Sequence, residues 1–127
     1  MSVPSTPSEV AGLLLSDDMI FTSRVTGTAR DLGLTIKPAR SVDILEQLAA
    51  QQTPRCIIVD LGNSGLKLGE LMAFLHTTCS PVPRVVAYGS HVDAESLRLA
   101  REAGCDPVLP RSKFVEELPR ALRGWAS

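Results

Sequence analysis

The chain has 127 residues, enough for a single domain that buries about two thirds of its unfolded surface and needs no disulfide or metal staple to fold. Thirteen basic against fourteen acidic residues leave a formal net charge of -1, and no basic run or aromatic-basic interleaving marks a nucleic-acid surface, which argues against nucleic acid as a direct partner. No apolar stretch approaches the roughly 20 residues of a membrane span, and Cys56, Cys79 and Cys105 show no CxxC or Cys/His ligand spacing, so the sequence reads as a soluble, cytoplasmic protein with free thiols.

Residues 1–10 carry two prolines and three serines but no basic n-region and no apolar core; they predict a flexible tail, not a signal peptide, ahead of one domain over 11–127. Ala11 to Ser16 is a short apolar run, a first strand, and it ends in the pair Asp17-Asp18. From Met19 to Leu32 the residues Ile20, Phe21, Val25, Ala29 and Leu32 recur at helical spacing, and Gly33 is a natural stop. Leu34 to Lys37 alternates like a half-exposed strand that stops at Pro38. Ser41 or Asp43 can cap the next helix, whose apolar stripe is Val42, Leu45, Leu48 and Ala49, and Thr53-Pro54 ends it.

Cys56 to Val59 is an unbroken apolar run rich in β-branched residues, the mark of a strand buried on both faces of a parallel sheet. Asp60 follows at once. At the C-terminal end of a central strand a carboxylate points into the crevice where open α/β sheets place ligands, although it can also simply cap the following loop. Gly62-Asn63-Ser64-Gly65 forms that loop; Leu68, Leu71, Met72 and Leu75 make a helical stripe, closed by Ser80-Pro81-Val82-Pro83. Arg84 to Tyr88 is a fourth strand, Asp93 an N-cap for a helix containing Leu97 and Ala100, and Val108-Leu109 a short fifth strand closed by Pro110-Arg111-Ser112. A last helix over Lys113 to Gly124 should be kinked or split by Pro119.

Five alternations of strand and helix predict a doubly wound five-stranded parallel sheet with helices on both faces and strand order 2-1-3-4-5. That order brings Asp17, Asp18 and Asp60 to one crevice. Clustered carboxylates repel and call for a cation, and oxygen ligands with the Gly62 backbone carbonyl in reach suit Mg2+, with Asp18 and Asp60 as direct ligands and Asp17 holding a metal-bound water. Asp60 beside such an ion can attack a phosphoryl group. The alternative is a crevice that binds no metal, or whose charge is taken up by Arg111. By the same repulsion, Asp60→Asn is expected to leave folding intact or improve it. No GxGxxG or P-loop spacing points to a nucleotide enzyme. Neither His76 nor His91 has a triad partner; His76 reads as a helix-end residue meeting the last carbonyls, and His91 borders the crevice. Trp125 either packs the last helix down or sits in an interface.

The acidic pair after the first strand, Asp60 after the third, and Ala103-Gly104-Cys105-Asp106 leading to Leu109-Pro110-Arg111 resemble the CheY-like receiver domain of two-component response regulators, over about residues 11 to 124. The resemblance implies a flavodoxin-like fold, Asp60 as phosphoacceptor, Asp17 and Asp18 at a Mg2+ site, a non-enzymatic role and a protein partner, a histidine kinase or another signalling protein. The departures are specific. The family's lysine and following proline fall on Arg111 and Ser112, its threonine or serine on Tyr88 or Gly89, with Ser90 the nearest displaced hydroxyl, and its aromatic switch residue on Val108. Two functions follow: a divergent phosphoaccepting signalling domain acting by protein–protein contact, or a phosphorylation-independent pseudo-receiver. A small Mg2+-dependent hydrolase is weaker, because nothing in the chain supplies a substrate pocket. With the sequence ending at Ser127, no output domain is expected.

Overall fold

The computed structural model describes residues 9–127, and within them strands and helices alternate five times. The order is β1 (Gly12–Leu15), α1 (Met19–Asp31), β2 (Ile36–Ala39), α2 (Val42–Gln51), β3 (Cys56–Asp60), α3 (Leu68–Thr78), β4 (Arg84–Gly89), α4 (Ala94–Glu102), β5 (Val108–Pro110) and α5 (Arg111–Trp125). Of the predicted tail, only Glu9 and Val10 fall within the described residues. All strands pair in parallel, in the order β2-β1-β3-β4-β5 that the alternation predicts.

Side chains along a strand point alternately to its two faces, and the two cores sort by that parity. Leu13, Leu15, Ile57, Val59, Val85 and Ala87 face one core, closed by Leu45 of α2, Leu71 and Leu75 of α3 and Leu97 of α4. Leu14, Cys56, Ile58, Val86 and Tyr88 face the other, closed by Phe21 and Val25 of α1 and by Phe114, Leu118 and Leu122 of α5. Every residue of β3 is buried, as its unbroken apolar run requires. The parity also places Asp60, two residues beyond Ile58, on the face covered by α1 and α5.

Side-chain caps start three of the helices. Asp18 accepts a hydrogen bond from the Phe21 N–H (3.0 Å), Ser41 from the Ile44 N–H (3.3 Å) and Asp93 from the Ser96 N–H (3.1 Å), each satisfying one of the orphan donors of a first turn. Ser41, not Asp43, is therefore the cap of α2. Gly33 ends α1 at a φ of 76°, a left-handed conformation that costs glycine nothing.

Three local expectations are corrected. β2 does not stop at Pro38 but runs through it, with Pro38 opposite Leu14; as an edge strand it has a side on which the missing N–H breaks no ladder. Ile20 is 84 % exposed, because the buried stripe runs through Phe21, Val25 and Ala29, and the preceding position lies about 100° round the helix. Of the kink or split expected at Pro119, the split does not occur: α5 is continuous from Arg111 to Trp125. Pro119 is exposed, while Phe114, Leu118, Leu122 and Trp125, before and after it, are buried and pin both halves to the sheet. Trp125 packs inward, its ring 5.6 Å from that of Phe114.

Candidate functional site

Asp60, Tyr88 and Ser16 meet at the C-terminal edge of the sheet for reasons of register. Asp60 is paired with Tyr88 across β3 and β4, and Ser16 follows the Leu15–Val59 pair, so it stands next to Asp60 on the same face. All three are buried; Asp60 retains 4 % of its exposure. One carboxylate oxygen of Asp60, Oδ1, accepts a hydrogen bond from the Gly62 N–H at 2.8 Å, a tight turn that the Gly62 loop provides. The other, Oδ2, lies 3.6 Å from Nη2 of Arg111.

Arg111 reaches this point because it is the first residue of α5, directly after the three-residue strand β5. Its second terminal nitrogen lies 3.7 Å from Oδ2 of Asp18. At these separations the contacts are ion pairs without hydrogen-bond geometry, so a single guanidinium serves two carboxylates through charge. The guanidinium also rests on two aromatic faces, 5.0 Å from the centre of Phe21 and 5.4 Å from that of Tyr88, within the range of a cation–π contact. Phe21, Tyr88 and Phe114 pack together as the platform, Phe21 tilted against Tyr88 with 4.7 Å between ring centres and Tyr88 stacked on Phe114 at 4.7 Å.

The Tyr88 hydroxyl is fully buried and makes no hydrogen bond of ordinary geometry, although Ser16 and Asp60 are near enough to bear on its acidity. Burial, with the Asp60 charge beside it, pushes the phenol well above its usual range. Ser16 is engaged elsewhere: its Oγ accepts from the Asp18 N–H at 3.1 Å, which fixes the turn that carries Asp18.

The three carboxylates predicted for a metal site do not converge in this structure. Asp17 is exposed, Asp18 caps α1, and no group of three acidic, histidine or cysteine side chains among the described residues is placed to hold a metal. The residues as arranged do not fit Mg2+, because the carboxylate oxygens that would face the ion face the Arg111 guanidinium. Gly62, predicted to offer a carbonyl to that ion, also contributes its N–H to Asp60. Ser90 is exposed in the turn after β4; its Oγ accepts from the Val92 N–H at 3.3 Å, and no hydrogen bond joins it to Asp60 among the described residues. His76 does not meet the last carbonyls of its helix, as the sequence suggested; its Nδ1 lies 2.8 Å from the Met72 carbonyl one turn back, inside α3, and His91 is exposed.

Sequence reasoning took Phe21 as core and Tyr88 as merely the wrong residue for a hydroxyl; neither was recognised as the support of Arg111. Strand parity could have found Tyr88, since it shares the face of Asp60. Beside the site, Phe21, Arg24, Arg111 and Val115 line an open cleft of about 450 Å³ between the starts of α1 and α5.

No protein-family model matches the chain, and no curated protein matches it by sequence. Solved structures do match it. The receiver domain of NtrX from Brucella abortus is 18% identical with a TM-score of 0.77, the match covering 91% of this chain and 97% of that one. The signal receiver domain of an HD domain-containing protein from Pseudomonas fluorescens Pf-5 is 20% identical with a TM-score of 0.78, over 99% of this chain and 93% of that one. A response regulator from Burkholderia pseudomallei, solved with a phosphorylated aspartic acid, a calcium ion and citrate, is 23% identical with a TM-score of 0.74, over 91% of this chain and 67% of that one. The chain therefore has the CheY-like receiver fold, at identities that speak to fold alone.

Proposed function

We propose that this chain is a single receiver-like signalling domain that recognises a protein partner through its folded surface without phosphorylation of Asp60. One observation carries the reading: the Arg111 guanidinium, seated on Phe21 and Tyr88, lies between the carboxylates of Asp18 and Asp60. A phosphoryl group arriving at Asp60 would bring negative charge to a nearly closed carboxylate whose counter-ion is already engaged and whose metal site is not assembled. The residue that would follow that group on β4 is a packed tyrosine, so the two states would differ little in their contacts, and a ligand shifts an equilibrium only by such differences. The role is non-enzymatic and cytoplasmic. A balanced charge of -1 favours a protein partner over nucleic acid; a histidine kinase or another signalling protein is the class to test.

The phosphoaccepting reading keeps one observation in its favour. Arg111 is 43% exposed along its side chain, so it can swing outward, and the Burkholderia pseudomallei neighbour carries its phosphate on an aspartic acid. In that reading Asp60 accepts the phosphoryl group, Asp17, Asp18 and the Gly62 carbonyl join it around Mg2+, and Arg111 or a displaced Ser90 contacts the product. Intact-mass measurement after incubation with Mg2+ and a small-molecule phosphodonor, with Asp60→Asn alongside, separates the two. The expected result is no mass gain in either protein; one added phosphoryl group in the wild type alone would overturn the proposal.

A further inference from the structure

We infer that the Arg111 guanidinium is the resident cation of the crevice: it holds by covalent tether the place against Asp18 and Asp60 that a divalent ion would take, and the wild-type protein consequently does not take up Mg2+ there. The inference rests on the reading above and names what keeps the site closed. Two negative groups converge on one positive group, at 3.6 and 3.7 Å, and the positive group is fixed from behind by two aromatic faces. A tethered guanidinium competes well with Mg2+, which dehydrates reluctantly and demands near-octahedral oxygen geometry. Arginine suits the position where lysine would not, since its planar, weakly hydrated cation stacks on rings while reaching two acids. The buried, unpartnered Tyr88 hydroxyl beside Asp60 is a second sign. It is a polar group at the floor of the crevice that the guanidinium does not satisfy, and that the water shell of a small ion could.

Removing Arg111 should therefore open a latent cation site on Asp18 and Asp60. The test is thermal unfolding of the wild type, Arg111→Ala and Arg111→Ala/Asp60→Asn, each with and without about 10 mM MgCl2 at matched ionic strength, a concentration at which a millimolar site stabilises measurably. The wild-type midpoint should move by less than about 1 °C, that of Arg111→Ala should rise by about 3–6 °C, and the rise should vanish in the double variant. Arg111→Gln, which keeps bulk and loses charge, serves if the alanine variant does not fold. A saturable rise in the wild type that Asp60→Asn abolishes would show that the guanidinium yields to the ion and would overturn the inference. So would a folded Arg111 variant with no response to Mg2+. Either failure is distinguishable from failure of the proposed function, which is read from a gain of phosphoryl mass.

Discussion

The link between Arg111 and Asp60 can be measured by a double-mutant cycle. At 3.6 Å two unit charges attract by about 4.6 kcal/mol at an effective dielectric near 20 and by about 1.2 kcal/mol in bulk water. Asp60 is 4 % exposed, but the Arg111 side chain is 43% exposed, so water screens the pair and the lower part of that range applies. We expect a coupling of about 1–2 kcal/mol, favourable, between Arg111→Ala and Asp60→Asn. Arg111→Ala alone should cost about 2 kcal/mol, since it leaves a buried carboxylate with no cation and strips the face of Phe21 and Tyr88. Asp60→Asn should cost less, about 1 kcal/mol, because its side-chain oxygen still accepts from the Gly62 N–H. Repulsion among acids alone predicts the opposite sign for Asp60→Asn; the guanidinium between them reverses it. Urea unfolding followed by far-UV circular dichroism gives all four corners, and raising the salt to about 1 M should shrink the coupling. Additivity within about 0.3 kcal/mol would refute the claim that this ion pair neutralises the crevice.

Other parts of the molecule make equally definite predictions. Gly12→Ala should destabilise by about 2–3 kcal/mol in the same unfolding assay, because its Cβ would fall 2.6 Å from Cys56 Sγ and 3.0 Å from the Cys56 carbonyl oxygen. Pro119→Ala should raise stability by about 1–2 kcal/mol by restoring one helical hydrogen bond on the exposed side of α5; an unchanged midpoint would mean that the proline costs the helix nothing. A native thiol titration should modify the half-buried Cys79 first and leave Cys56 and Cys105, both buried, until the chain unfolds. Burial pushes the thiols of Cys56 and Cys105 up to about 11 from 9.0, so the folded state holds their protons more tightly. Their contribution is full below pH 9 and is lost as pH rises toward 11; urea midpoints that stay level across that interval would contradict it.

Most of the architecture was legible because it is written in local periods. The continuous apolar run at Cys56–Val59 could only be a strand covered on both faces, and the helical stripes of Phe21, Val25 and Ala29 or Leu71, Met72 and Leu75 left little choice of element. What escaped depends on tertiary position. Pro38 is tolerated because its strand is an edge, and edge status belongs to the strand order, not to the residues of β2. Pro119 is tolerated because it lies on the exposed side of its helix while Phe114 and Leu122, on either side of it in sequence, are buried against the sheet. The acids were legible, and Arg111 was one of two ways to neutralise them; what the sequence left open was the choice between that guanidinium and a metal ion, because it depends on where the Arg111 side chain lies, and that is set by rings from α1 and β4, at positions 21 and 88.

That dependence joins two departures that look independent in the sequence. A lysine at position 111 would present a compact, strongly hydrated charge that gains little from an aromatic face, and a small hydroxyl at position 88 would offer no face to rest on. Arginine and tyrosine together make a different device, in which the ring supplies a floor and the guanidinium spans from Asp18 to Asp60. Each residue then accounts for the other. Arg111 without Tyr88 would lose half of its platform, and Tyr88 without Arg111 would bring a buried phenol beside an unneutralised carboxylate, whose charge already works to keep that phenol protonated. Arg111 and Tyr88 thus form one unit, a guanidinium on an aromatic floor set between two carboxylates, at the C-terminal edge of a receiver-like sheet.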